Sequence, residues 1–171
     1  MLRLAALLHD IAHTPFSHAL EEHFDPSIGS HEKMAGEIIL NTELANIIHK
    51  IGRPYEFGPE IVAALITGDA FKKEEQFLKS IFDNEIDSDK MDYLLRDSLF
   101  TGVKYGNFDL DRILNVIDLF FSNVKGHDNY WTIGIDSDGV EAVEGLILAR
   151  YFMFTQVYFH RTRRIFDHIL N

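Results

Sequence analysis

Apolar residues recur at intervals of three and four along most of this chain, and that spacing suits helices packed on one face. Met34, Ala35, Ile38 and Ile39 follow it after Ser30, and Leu44, Ile47, Ile48 and Ile51 repeat it up to Gly52-Arg53-Pro54. Ser30 is expected to cap the helix, with Lys33 rather than Glu at the third position, so there is a cap without a capping box. Gly58-Pro59 opens another helix with Ile61, Ala64 and Leu65 facing inward. Asp87 precedes a helix from Ser88 to about Phe100, with Met91, Leu94, Leu95 and Ser98 on one face. Shorter helical pieces are expected from Leu2 to Asp10, from Ser17 to His23, around Phe77-Leu78 and Ile81, and from Leu110 to Leu114. A long helix without proline runs from Val140 to about Phe159, and a last one begins near Thr162. Val116–Val124 and Tyr130–Ile135 are rich in β-branched and aromatic residues and read as a hairpin. The expected class is all-α with one small β-hairpin, a single domain over residues 1–171. Strand–helix alternation and a glycine-rich phosphate loop are both absent.

Charge and composition narrow the function. Lys and Arg total 16 against 27 Asp and Glu, a formal net charge of −11. A duplex nucleic-acid binder needs the opposite sign to displace counterions, so no duplex partner is expected. A small phosphorylated substrate in a local cationic pocket remains compatible. Without cysteine, a disulfide, a thiolate metal site and a cysteine nucleophile are all impossible, and a reducing cytoplasm fits. No apolar run approaches the ~20 residues that span a bilayer. Leu2 opens a helical pattern with no capping residue before it. Met1 is therefore expected to lie inside an element that continued upstream.

Five of the nine histidines crowd between positions 9 and 31: His9, His13, His18, His23 and His31. Asp10 and Glu21 sit among them. Imidazole nitrogen and carboxylate oxygen together suit Mn, Fe, Ni or Zn, and histidines near metal-bound water can move protons near neutral pH. His9 and Asp10 supply only two ligands, so a third must come from a distant segment. The helix after Ser88 offers candidates. Lys90, Tyr93 and Asp97 share one of its faces at spacings of three and four, where a cation, a phenol and a carboxylate could bind phosphate and sugar. Asp92 and Arg96 form an i,i+4 ion pair, and Asp89 could simply favour the helix N-terminus. Spacing alone favours that plain reading.

The segments together say more. Leu8-His9-Asp10-Ile11-Ala12-His13-Thr14-Pro15-Phe16-Ser17-His18 resembles the HD-domain phosphohydrolase signature in its HD-x-x-H-x-P-F-S-H variant. Ile86 to Asp97 resembles the second signature of that group, around its distant metal-binding aspartate. The variant is similar to the deoxynucleoside triphosphate triphosphohydrolases. The resemblance implies a divalent metal (Mn, Fe, Ni, Zn or Mg) on His9, Asp10 and Asp89, with an upstream family histidine falling before Met1. It implies catalytic or phosphate-facing roles for His13, His18 and His31, with Glu21 as an acidic helper. Lys90 matches a phosphate-binding lysine, and Tyr93 and Asp97 match residues that contact deoxyribose. Arg150 and Tyr158, eight apart, match a phosphate-binding arginine and a sugar-stacking tyrosine. His23, His49, His127 and His168 match nothing and read as surface residues. Pro15 and Phe16 read as turn and packing residues, and Arg161, Arg163 and Arg164 as a solvated helix end.

Three functions stay in view. One is cleavage of deoxynucleoside triphosphates to deoxynucleoside and inorganic triphosphate, in a homo-oligomeric (dimeric or tetrameric) cytoplasmic enzyme. Another is an HD phosphohydrolase acting on a nucleoside monophosphate or other phosphoester. The last is a non-catalytic nucleotide-binding module.

Overall fold

The periodic stretch from Met34 to Ile51 is divided at Thr42, where the backbone becomes extended (φ −120°, ψ −177°). The Thr42 hydroxyl donates to the Ile38 carbonyl at 2.7 Å and accepts from the Leu44 amide at 3.3 Å, so one side chain serves both helix ends. The structure, a computed structural model, describes residues 1–16, 29–68, 73–81, 83–122 and 130–170. The expected helix from Ser17 to His23 lies outside them. The chain divides into two compact units, residues 1–72 with 169–171, and residues 73–168.

The first unit holds α1 (Leu2–Leu8), α2 (His31–Asn41), α3 (Glu43–Gly52), a 3-10 turn (Arg53–Tyr55) and α4 (Pro59–Thr67). Helix α4 is the platform, for both α1 and α2 pack on it. Its buried face is Val62, Ala63, Leu65 and Ile66. Leu65 was expected inward, but Ile61 and Ala64 are only half-buried. The α2 contact is close because Gly36 has no side chain: a Cβ there would lie 2.9 Å from Thr67 Cγ2. Ser30 stands at the N-cap of α2 with extended backbone but makes no side-chain cap bond. On α3, Ile48 is buried, while Ile47 and Ile51 are exposed rather than inward.

The second unit holds a 3-10 helix (Lys73–Ile81), α5 (Ser88–Thr101), α6 (Leu110–Val116), β1 (Ile117–Ser122), β2 (Tyr130–Ile135), a 3-10 turn (Ser137–Gly139) and α7 (Val140–Met153). A π-helical segment (Phe154–Tyr158) and α8 (Arg161–Leu170) follow. The strands pair antiparallel from Ile117 opposite Ile135 to Ser122 opposite Tyr130. Met91 and Leu94 of α5, Ile113 of α6, and Leu146 and Met153 of α7 form the core. Ile117 and Ile135 pack against it, which anchors the hairpin base. After α5 the chain folds back on it. Ser98 Oγ donates to the Val103 carbonyl and accepts from the Gly106 amide, both at 3.0 Å. Gly106 is required there, since a Cβ would lie 2.3 Å from the Leu94 carbonyl oxygen.

The mainly helical class with one hairpin is as expected. The single long helix from Val140 to about Phe159 is not: α7 ends at Met153 and the π segment carries the chain to Tyr158. The Phe159 amide reaches back five residues to the Phe154 carbonyl at 2.8 Å, so the backbone accommodates one extra residue. Among the described residues, no helix is long and apolar enough to cross a membrane.

Candidate functional site

In the first unit, the chain leaves α1 in tight turns rather than breaking away. The Ile11 amide bonds the Leu8 carbonyl and the His13 amide bonds the Asp10 carbonyl. Ala5 and Ala12, both buried, anchor this stretch. His9, Asp10 and His13 therefore gather at the C-terminal end of α1. His31, the first residue of α2, stacks on His13 with ring centroids 4.1 Å apart and planes 24° apart. Asp10, His13 and His31 each bring one ligand atom to within 4.8 Å of the others.

The imidazole of His9 has a defined orientation. Its Nδ1 lies 2.9 Å from the Ala6 carbonyl oxygen, which can only accept, so Nδ1 carries the proton. In the neutral ring Nε2 then bears a lone pair, and it faces Asp10 Oδ1 at 3.2 Å. His13 Nε2 lies 3.3 Å from that same oxygen. An imidazole lone pair and a carboxylate oxygen this close need a proton or cation between them. A backbone carbonyl fixing the far nitrogen is also the usual support of a metal-binding histidine. The donor set, nitrogen plus carboxylate oxygen, fits a divalent ion such as Mn, Fe, Ni or Zn.

Of the sequence candidates in this unit, His9, Asp10, His13 and His31 are brought together, while His18 and Glu21 lie outside the described residues. An acid absent from the sequence reading stands here instead: Glu32 Oε1 is 3.4 Å from His31 Nε2. His31-Glu32 is a second histidine–acid dipeptide, and that adjacency was its signal. Phe16 is in a turn, with left-handed φ of 71°, but it is 63% exposed and so does not pack as expected. A bulky residue with positive φ is uncommon.

The second unit gathers the remaining candidates. Asp87 caps α5 by accepting from the Lys90 amide at 2.7 Å. Its other oxygen takes the Asn84 amide at 2.8 Å and Lys90 Nζ at 2.7 Å. Asp89 stands in the first turn of α5. Two turns on from Asp89, Asp97 accepts a 2.6 Å hydrogen bond from the Tyr158 hydroxyl. Tyr93 meets the Tyr158 ring edge-on at 6.1 Å and lies near enough to Arg150 for that charge to act on its phenol. Arg150 donates to Glu85 at 2.7 Å and lies over the Phe154 ring. Tyr93, Asp97, Arg150 and Tyr158 thus lie together, and Lys90 stands three residues before Tyr93 on α5. Arg163 donates to the Tyr158 carbonyl at 3.1 Å, satisfying a carbonyl where regular helix ends. Arg96 pairs with Asp92 as the spacing predicted, and His49 and His168 are exposed.

Burial, the largest influence, pushes the Tyr93 phenol above its ordinary value despite the opposing pull of Arg150. Burial also raises Tyr158, and its hydrogen bond to the Asp97 carboxylate raises it further. Both phenols therefore stay protonated at any physiological pH, and Tyr158 stays a donor. A raised folded-state pKa contributes stability below the unfolded value of 10.0 and loses it as pH climbs beyond. The urea midpoint of the wild-type chain should fall as pH rises above about 10, and less so for Tyr158→Phe. Identical alkaline slopes for the two proteins would remove Tyr158 as the source.

Residues 1–97 match the family model of the HD domain, and residues 109–171 match that of the HD associated region. The chain is 39% identical over 167 residues to the uncharacterized protein YwfO of Bacillus subtilis, covering 97% of this chain and 34% of that protein. It thus spans about a third of that relative's length. A crystal structure of a phosphohydrolase from Bacteroides thetaiotaomicron superposes with a TM-score of 0.68 at 31% identity, covering 99% of this chain and 36% of that one. The Dictyostelium discoideum homolog of the deoxynucleoside triphosphate triphosphohydrolase SAMHD1 is 36% identical over 108 residues, covering 59% of this chain and 20% of that protein.

Proposed function

This chain belongs to the HD-domain family, and on that premise we propose that it is the hydrolytic part of a metal-dependent deoxynucleoside triphosphate triphosphohydrolase. The observation that supports the reading is the Tyr158–Asp97 hydrogen bond of 2.6 Å, with Tyr93 against both Tyr158 and Arg150. A carboxylate–phenol pair beside an aromatic ring suits a sugar hydroxyl and the face of its ring. Arg150 and Lys90 next to it suit a polyphosphate. A monophosphate would need fewer cations. The net charge of −11 makes a local pocket of this kind necessary for any anionic substrate.

We assign His9 and Asp10 as ligands of the divalent cation, with Asp89 as a third on the motif match. When bound, such a cation polarises a phosphoryl oxygen and lowers the pKa of water. Ala6 holds His9 through Nδ1, and Nε2 faces the Asp10 carboxylate. His13 and His31 are the groups that take a proton from water or give one to the leaving oxygen, and His18 and Glu21 are assigned to the same step on the motif match. Lys90 and Arg150 offset the charge of the three phosphates. The products are a deoxynucleoside and inorganic triphosphate. Assembly as a homo-oligomer in the cytoplasm belongs to the same proposal.

The test is a panel of deoxynucleoside triphosphates and monophosphates offered to the Mn-supplemented chain, with products separated by anion exchange. Inorganic triphosphate is the expected product. Orthophosphate from monophosphates would instead favour the phosphoester reading. Asp97→Ala should keep the wild-type metal content but lose discrimination between deoxyribose and ribose triphosphates. Metal loss equal to that of Asp89→Ala would sink the separate sugar role of Asp97.

A further inference from the structure

Both cations assigned to phosphate are already occupied, and by carboxylates from one short segment. Lys90 Nζ is 2.7 Å from Asp87, and Arg150 Nη1 is 2.7 Å from Glu85. The two acids differ sharply in surroundings. The Asp87 side chain is 1% exposed and that of Glu85 is 81% exposed.

That difference decides what each pair does when an anion arrives. Asp87 is buried, so pulling Lys90 away would leave a carboxylate without its counter-charge in a poorly solvated place, which is costly. Lys90 therefore stays with Asp87. An ammonium has three donors, and the two not used on Asp87 remain for a ligand. The side chain becomes a fixed donor instead of a mobile arm, which lowers the ordering cost of binding. Glu85 loses little by letting go. Water solvates most of it, and exposed pairs contribute little. Its carboxylate occupies Arg150 as a phosphate oxygen would, so an incoming anion exchanges with it.

Resting on the assignment of Lys90 and Arg150 to polyphosphate, we propose that Asp87 and Glu85 set the affinity of this pocket in opposite directions. Asp87 is a positioning residue that holds Lys90 ready. Glu85 is a displaceable competitor on Arg150. The ligand class is an inorganic or nucleoside polyphosphate.

The probe is inorganic tripolyphosphate, titrated calorimetrically into the full chain with Mn2+ present throughout. Glu85→Gln should bind it about two- to fivefold more tightly, the scale of an exposed ion pair. Asp87→Asn should bind it about tenfold or more weakly, the scale of one charge-assisted hydrogen bond. Asparagine also caps helices, so α5 keeps its start. In steady-state assays the changes should fall on KM, with kcat little altered. Structural damage lowers affinity in any variant, but it cannot raise it in Glu85→Gln. Should Asp87→Asn fail to fold, Glu85→Gln on the surface still decides: unchanged or weaker binding overturns the exchange. Unchanged affinity in folded Asp87→Asn overturns the positioning role. Wild-type chain that ignores tripolyphosphate overturns the phosphate assignment itself, and this inference with it. Wild-type binding with both variants unchanged overturns only this inference.

Discussion

Asp10→Ala is expected to leave a chain that retains no divalent metal through purification and shows no measurable turnover. Its Oδ1 lies within 3.3 Å of both His9 Nε2 and His13 Nε2, so one oxygen serves two imidazoles. Removing it takes away the carboxylate assigned, with His9, to the cation. Loss of a supporting residue around a metal typically costs about 10–100-fold in affinity, and loss of a direct ligand should exceed that. Metal analysis and activity are to be read together. Full metal content in Asp10→Ala would put the cation elsewhere. Full metal content with abolished turnover would make Asp10 a proton-handling group.

The largest expected effect on stability is at Asp87. Asp87→Ala removes the cap of α5 and strands the Asn84 and Lys90 amides, and it leaves the Lys90 ammonium without its partner. The lost cap, which is the Lys90 amide, costs about 1 kcal/mol, and the part-buried Asn84 amide left unpaired costs about 1–3 kcal/mol. The total is about 2–4 kcal/mol, a large share of the ~5–15 kcal/mol that keeps a domain folded. Urea unfolding should show a lower midpoint with an unchanged slope. Asp87→Asn should recover much of the loss. A midpoint within experimental error of wild type in Asp87→Ala would show that the segment before α5 contributes nothing to folding.

Where each element's information was local, the sequence carried it. Helix α5 was legible because an aspartate at its start and an apolar period agree. The hairpin was legible because strand-forming residues flank a turn cluster. Thr42 was not, because the period continues across it and only its hydroxyl's two hydrogen bonds reveal the division. The exposure of Ile47 and Ile51 was hidden for the same reason: spacing identifies a face but not what covers it. At the site, His9, Asp10, His13 and His31 were legible as a crowded set. Glu32 was passed over because an acid beside a histidine is common on a helix surface. The pairing of Lys90 with Asp87, and of Arg150 with Glu85, depends on side-chain direction and separation in space, which no spacing rule supplies.

The π segment has a consequence for phase. In a uniform α-helix each residue advances about 100°, so a separation of eight leaves two side chains about 80° apart around the axis. Arg150 and Tyr158 nevertheless both reach Tyr93. The wider ring between Phe154 and Phe159 absorbs one residue, and eight then counts as about seven, close to two whole turns. The angular alignment of guanidinium and phenol therefore belongs to the backbone between them. A change in that stretch which restored regular winding would rotate Tyr158 away from Tyr93 without altering either end of the pair.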